Sequence, residues 1–253
     1  MIVVRSIADL DLPRHVTLGL VPTMGALHAG HAALFAAARP ECDVLVASLF
    51  VNPVQFSESQ DLVAYPRDFA ADETAAKDGG VDVLFAPSPD EMYPPGYATW
   101  VEPGGAAEGL EGAHRPGHFR GVATVCLKLF NIVRPHIAWF GRKDAQQVAV
   151  LKQMARDFNL DVEIRVVETV RDLDGLALSL RNGRLSAEER EQALAIPRAL
   201  ATGDADRARS ILTAAGLDPD YVAVADLDGP TLAVATRIGD TRLIDNVLLK
   251  GAS

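Results

Sequence analysis

Two histidines three residues apart, His28 and His31 in "PTMGALHAGH", follow an apolar run and a glycine-bearing loop. If a helix begins near Ala29 or Gly30, both imidazoles stand at its N-terminal end, where main-chain N–H groups lack intrahelical partners and the dipole is positive. Anions are stabilised there, and Gly25 and Gly30 let a ligand approach the backbone closely. This pattern predicts binding of a phosphate chain, with the two rings as donors. "FVNPVQF" places Asn52 and Gln55 just past a predicted strand, where amides can read hydroxyl and carboxylate groups. "FGRKDAQQ" puts Gly141 at a strand end and Lys143, Asp144, Gln146 and Gln147 at the start of a helix. Lys143 can meet a phosphate there, Gln147 shares its helix face, and Arg142 and Gln146 read as a solvated helix start. In "DGLALSLRNGRLS" the cation Arg181 sits between Ser179 and Asn182, in a loop of the kind that closes over a triphosphate.

These residues need a frame. "HVTLGLV" (15–21), "DVLVASLFV" (43–51), "VDVLFAP" (81–87), "HIAWFG" (136–141) and "VEIRVVETV" read as buried strands, the first ended by Pro22. Helical segments alternate with them: "GHAALFAAARP", "RDFAADETAAKDGG", "RGVATVCLKLFNIVRP" and "KDAQQVAVLKQMARDF". Residues 88–118 read as loop with one short strand, "ATWVE". The alternation predicts an α/β fold, a Rossmann-like parallel sheet with helices on both faces, whose ligands bind beyond the carboxyl ends of the strands. After residue 170 the character changes. "SAEEREQALAIPRAL" opens with a capping box, Ser186 and Glu189, a second helix ends at Gly216, and three strands follow as an antiparallel meander. Residues 1–169 are thus expected to form the nucleotide- and pocket-bearing domain, and 170–253 a smaller α+β lid domain.

The chain has 253 residues, 49% hydrophobic and 23% charged, with 24 basic against 34 acidic side chains and a net charge of −10. That excess repels a nucleic-acid backbone, so an anionic substrate needs locally placed cations. Cys42 and Cys126 lie inside apolar runs and read as buried thiols. The N-terminal residues show no charged-then-apolar leader, and no uncharged run approaches a membrane span, so a cytoplasmic protein is expected.

In order along the chain, "PTMGALHAGH", "FVNPVQF", "YPRD", "GHFRGVATVCLKLFNIVRP", "FGRKDAQQ", "DGLALSLRN", "DYVAVAD" and "RLIDNV" resemble the pantothenate synthetase family of HIGH-motif nucleotidyltransferases over nearly the whole length. The resemblance implies that ATP adenylates pantoate with loss of pyrophosphate, and that β-alanine then attacks pantoyl adenylate to give pantothenate and AMP. Carried over, Met24, Gly25, Ala26, Leu27, His28, Ala29, Gly30 and His31 would hold ATP, with His31 as proton donor. Gly141, Arg142, Lys143, Asp144, Val170, Leu178 and Ser179 would line the nucleotide pocket, and Lys143 and Arg181 would neutralise phosphate. Gln55, Gln147 and Asn52 would bind pantoate, Gln55 also lying near β-alanine. Mg2+ would accompany ATP, bridging phosphates, and the protein would form a homodimer. Three departures stand out. Leu180 occupies a position where the family's basic loop usually has serine, Ala145 replaces a usual tyrosine, and the acids after "YPRD" thin to Asp68, Asp72 and Glu73, which leaves the metal ligands unassigned. Two other readings stay open on the residues: another HxGH nucleotidyltransferase, and a non-catalytic nucleotide-binding relative.

Overall fold

The computed structural model describes residues 1–56 and 62–249. Its first sheet is wholly parallel and contains β1 (Ile2–Val4), β2 (Leu18–Thr23), β3 (Val44–Leu49), β4 (Val83–Phe85), β5 (Ile137–Gly141) and β6 (Glu163–Val167). The strand order is β1-β4-β3-β2-β5-β6. Around it lie α1 (Ala29–Ala38), α2 (Phe69–Asp78), α3 (Pro89–Met92), α4 (Leu110–His114), α5 (His118–Val133) and α6 (Ala145–Asp157). Successive strand residues enter opposite cores. Leu20, Val46, Phe85, Ala138 and Phe140 pack with Val122 and Leu129 of α5 and Val148 and Leu151 of α6. Val21, Leu45, Ala47, Leu84 and Trp139 pack with Leu34 and Phe35 of α1 and Ala76 of α2. Because both faces are covered, the strands read as unbroken apolar runs. The strand order reverses at β2, whose neighbours are β3 and β5, and open α/β sheets bind ligands beyond the carboxyl ends at such a point.

Several expectations needed correction. Pro22 does not end β2 but lies within it, opposite Ser48 of β3. Main-chain groups alternate in direction along a strand: His136 N donates to Leu18 O on the β5 side, and Phe50 N donates to Thr23 O on the β3 side. Pro22 therefore turns its missing N–H toward β5, past the last pair of that ladder, Leu20 with Ala138, so no ladder bond is lost. "ATWVE" is not a strand. Its Val101 N donates to Thr124 Oγ1 on α5, and Trp100 stacks on Tyr93 with ring centroids 5.9 Å apart, so the alternation came from aromatic packing rather than a ladder. Two short helices, α3 and α4, occupy part of the stretch read as loop, and β1 adds an edge strand that the sequence reading left out.

Residues Met1–Gly141 with Gln146–Val167 make one compact unit, and Arg142–Ala145 with Glu168–Ser253 the other. In the second, α7 (Ala187–Ala193), α8 (Ala195–Leu200) and α9 (Ala205–Ala214) accompany an antiparallel sheet ordered β7 (Pro219–Asp226), β8 (Pro230–Ile238), β9 (Thr241–Leu248). Ile196, Leu200 and Leu212 from the helices close its core with Leu232, Val234 and Ile238 of β8. The Ser186–Glu189 capping box is present. The single helix expected over 186–200 breaks at Leu194, because Pro197 has no N–H for Ala193 O and its ring crowds that carbonyl.

Candidate active site

The loop leaving β2 is shaped by three fitted positions. Gly25 has φ +84, and a β-carbon there would lie 2.8 Å from Asp72 Oδ2, so only glycine fits. Ala26 also takes a left-handed φ of +51. The buried carboxylate of Asp72, on α2, holds this conformation: its Oδ2 accepts from Ala26 N at 3.0 Å and its Oδ1 from Leu27 N at 2.7 Å. Both oxygens are thereby committed to the backbone.

His28 is the N-cap of α1. Its Nδ1 accepts from Gly30 N at 3.0 Å, while His31 Nδ1 accepts from His28 N at 3.2 Å, a reciprocal capping box built from two imidazoles. A nitrogen that accepts an N–H must carry a lone pair, so this network assigns the proton of each neutral ring to Nε2. The ring centroids lie 4.3 Å apart, which groups two Nε2–H donors at a helix N-terminus. Gly30 serves a different end from the expected close approach of a ligand. A β-carbon there would sit 2.8 Å from His28 Cε1, so the clearance is filled by the His28 ring itself.

Past β3, Gln55 is buried and held from every side. Asn52 Nδ2 donates to Gln55 Oε1 at 2.9 Å and to Gly121 O at 3.1 Å, and Tyr93 Oη donates to Asn52 Oδ1 at 2.9 Å. Gln55 Nε2 is directed to Met24 Sδ at 3.0 Å. Arg115 Nη1 lies 3.1 Å from His118 Nε2; a guanidinium only donates, so His118 carries its proton on Nδ1 and gives it to Gln55 O at 2.9 Å. Both Asn52 N–H groups are thus used in positioning its neighbours. Burial pushes the Tyr93 phenol well above the ordinary tyrosine range, which keeps it a donor. Met24 also borders a cavity of about 350 Å3 with Phe50, Val51, Pro53 and Arg67, a volume suited to a small ligand. Gln147 lies in the first turn of α6 and is half-buried. Gln146, expected to be solvated, is buried instead: its Nε2 donates to Ala106, Glu108 and Gly109 carbonyls and its Oε1 accepts from Glu111 N. Arg142 is likewise buried, with Nη2 3.4 Å from Asp228 Oδ2.

Within the second unit, Lys143, Ser179, Arg181, Asn182, Arg242 and Asp245 line a cavity of about 20 Å3, room for roughly one water. Three cations surround it, while Asp245 is engaged by Arg171 at 2.6 and 3.1 Å. Ser179 caps the 3-10 turn Leu180–Arg184, accepting from Arg181 N, and Leu178 N donates to Val170 O. Leu180 is 38% exposed and does not line the cavity. Sequence reasoning missed Asp72 as a loop anchor, Tyr93, His118 and Gly121 around Gln55, and Arg242 among the cations. Arg242, His118 and Gly121 lie inside quoted motifs and Asp72 among the acids after "YPRD"; only Tyr93 stands outside them all. Among the described residues no group of three or more His, Cys, Asp or Glu could hold a metal ion.

A family model described as pantoate-beta-alanine ligase matches residues 3–248. "Pantothenate synthetase 1" of Bradyrhizobium diazoefficiens is 50% identical, over 97% of this chain and 94% of its own. The pantothenate synthetase of Chloroflexus aurantiacus is 48% identical over 99% of both chains. Among solved structures, pantothenate synthetase from Thermus thermophilus superposes with a TM-score of 0.93 at 43% identity, covering 99% of this chain and 100% of that one. Pantoate-beta-alanine ligase from Francisella tularensis, complexed with beta-gamma ATP and beta-alanine, matches with a TM-score of 0.88 at 37% identity over 100% of both chains.

Proposed function

The chain belongs to the pantoate-beta-alanine ligase family, and on that premise we propose how its residues join pantoate to β-alanine at the expense of ATP. The route is adenylation. A pantoate carboxylate oxygen attacks the α-phosphorus of ATP, the bond to the β-phosphate oxygen breaks, and pyrophosphate leaves. The free amine of β-alanine then attacks the acyl carbon of pantoyl adenylate, AMP departs with the bond electrons, and the amine proton is lost. No enzyme nucleophile is required, so positioning and electrostatics supply the rate.

The observation that carries this reading is the paired-histidine cap, two Nε2–H donors at the N-terminus of α1 beyond the carboxyl end of β2. They donate to phosphate oxygens of ATP held by Met24–His31, with His31 giving its proton as charge develops. Gln55, its carbonyl oxygen occupied by Asn52 and one Nε2–H directed to Met24 Sδ, offers the other Nε2–H to pantoate, and Gln147 joins it. Asn52 contributes by holding Gln55. In the second unit Lys143 and Arg181, with Val170, Leu178 and Ser179 beside them, neutralise phosphate charge. Mg2+ would come with ATP and would supply charge neutralisation to its phosphates rather than sit in a protein cage, which the residues fit, because Asp72 gives both oxygens to main-chain N–H groups. Among the described residues no helix is long and apolar enough to cross a membrane. The reading places this ATP-consuming protein, with its two buried thiols, in the cytoplasm as a homodimer, the latter measurable by light scattering.

The test is release of AMP and pyrophosphate from ATP and pantoate, with and without β-alanine. Equimolar, β-alanine-dependent turnover is expected. Steady pyrophosphate release without any amine, or nucleotide binding without turnover, would overturn the reading.

A further inference from the structure

Asn246 sits on β9 inside "RLIDNV", a motif whose chemistry the ligase reading leaves unused. It is buried, and its Nδ2 donates to two carbonyls of the turn that follows β5: Arg142 O at 3.0 Å and Lys143 O at 2.9 Å. Both neighbours are acceptors, so the amide can face only one way. Its Oδ1 is buried and accepts no hydrogen bond. A buried orphan acceptor is unfavourable, so its donors are what the site uses. The Asn246 main chain is fixed in turn, since its N donates to Asp245 Oδ1 at 2.8 Å. That buried carboxylate takes both ends of the Arg171 guanidinium, whose Nη1 also donates to Gly175 O. Arg142 to Ala145 accordingly belong to the second unit, although Gly141 before them and Gln146 after them belong to the first.

We propose that Asn246, braced by Asp245 and Arg171, is the positioning residue of Lys143: it clamps the lysine's own carbonyl and the preceding one, fixing the ammonium group beside Arg181 and Arg242 in the cation pocket. Asn246 does not touch substrate. It acts through Lys143, so the inference rests on the phosphate-binding role proposed for that lysine. A charged group misplaced by about 1 Å is enough to cost on the order of 100-fold in a step that needs it.

The test is a kinetic double-mutant cycle on the full chain, read as single-turnover formation of pantoyl adenylate. Asn246→Ala is expected to slow adenylation by about 10- to 100-fold in the wild-type background and by less than about twofold in a Lys143→Ala background, since coupled residues are non-additive. The KM for pantoate should stay within about twofold. Asn246→Ser, which keeps one donor, should fall between; it carries the same comparison if the alanine variant does not fold. Equal slowing in both backgrounds, the mark of a merely structural residue, overturns the proposal, as does unchanged adenylation in Asn246→Ala. Lys143→Ala alone with adenylation near wild type would instead refute the role given to the lysine, a separate and distinguishable failure.

Discussion

Replacing Gly121 by alanine asks whether Gln55 owes its position to α5. A β-carbon at residue 121 would lie 2.5 Å from Val54 O and 2.7 Å from Gln55 N and Cα. Carbon contacts are optimal at about 3.5–4.0 Å, so helix and turn must part by roughly 1 Å. The obstructing atoms are main chain, not the end of a flexible side chain, so relief comes from moving the turn that carries Gln55. Asn52 moves with it, because its Nδ2 is bonded to Gly121 O. Overpacking of this kind costs about 1–3 kcal/mol, and each kcal/mol lowers Tm by about 2–4 °C in a chain of this size. A misplacement near 1 Å of a substrate-positioning group costs up to about 100-fold. Initial rates with pantoate varied should therefore show kcat/KM down about 10- to 100-fold, while KM for ATP stays within about threefold. A folded Gly121→Ala protein whose pantoate kcat/KM is unchanged would refute the argument that this close approach sets Gln55.

Asp72→Asn turns one of the two acceptors facing Ala26 N and Leu27 N into a donor, at about 1–3 kcal/mol; adenylation should slow by about tenfold or more, and single-turnover rates equal to wild type would show that the loop holds itself. Burial raises the Tyr93 phenol well above its ordinary 10.0, and it pushes the Cys126 thiol from 9.0 up to about 12. Both groups bind their proton more tightly when folded, so the stability they contribute is intact below pH 9 and is lost progressively as pH rises above 9 to 10. Thermal unfolding across that window should show the fall, with a shallower slope for Tyr93→Phe; identical slopes would remove Tyr93 from the account. Leu180→Ser should leave ATP affinity within about twofold, since Leu180 is not among the residues that line the cation cavity, and a larger change on calorimetric titration would show that the leucine matters.

The parallel sheet was legible because two covered faces demand long apolar runs, and the nucleotide loop because His-x-Gly-His matches the spacing of a helix start. What escaped had partners far along the chain. Asp72 meets Ala26 across 46 positions, Tyr93 meets Asn52 across 41, and Asn246 meets Lys143 across 103, and no local periodicity encodes such pairs. β1 escaped because three residues carry too little signal against its long neighbours. "ATWVE" misled for the opposite reason: aromatic and β-branched residues that pack against α5 mimic the alternation of a half-buried strand. Gln146 was read as solvated because a glutamine at a helix start normally is; the carbonyls of residues 106–109 that bury it lie about ten turns of helix away in sequence terms, well outside any local window.

The two-imidazole cap also decides how variants of this motif have to be interpreted. In each ring one nitrogen belongs to the scaffold and the other to the reaction, so an alanine at either place removes both at once and its rate loss has no single meaning. Asparagine at 28 restores an acceptor suited to an N-cap, and glutamine at 31 restores the reciprocal arm normal for the third helical position, yet neither amide is an acid able to give up a proton as an imidazolium or imidazole does. The rate lost in those replacements measures acid chemistry; the further loss on going to alanine measures the helix start. Gly30 ties the two together, since a β-carbon there would lie 2.8 Å from His28 Cε1 and force the ring out of its capping position.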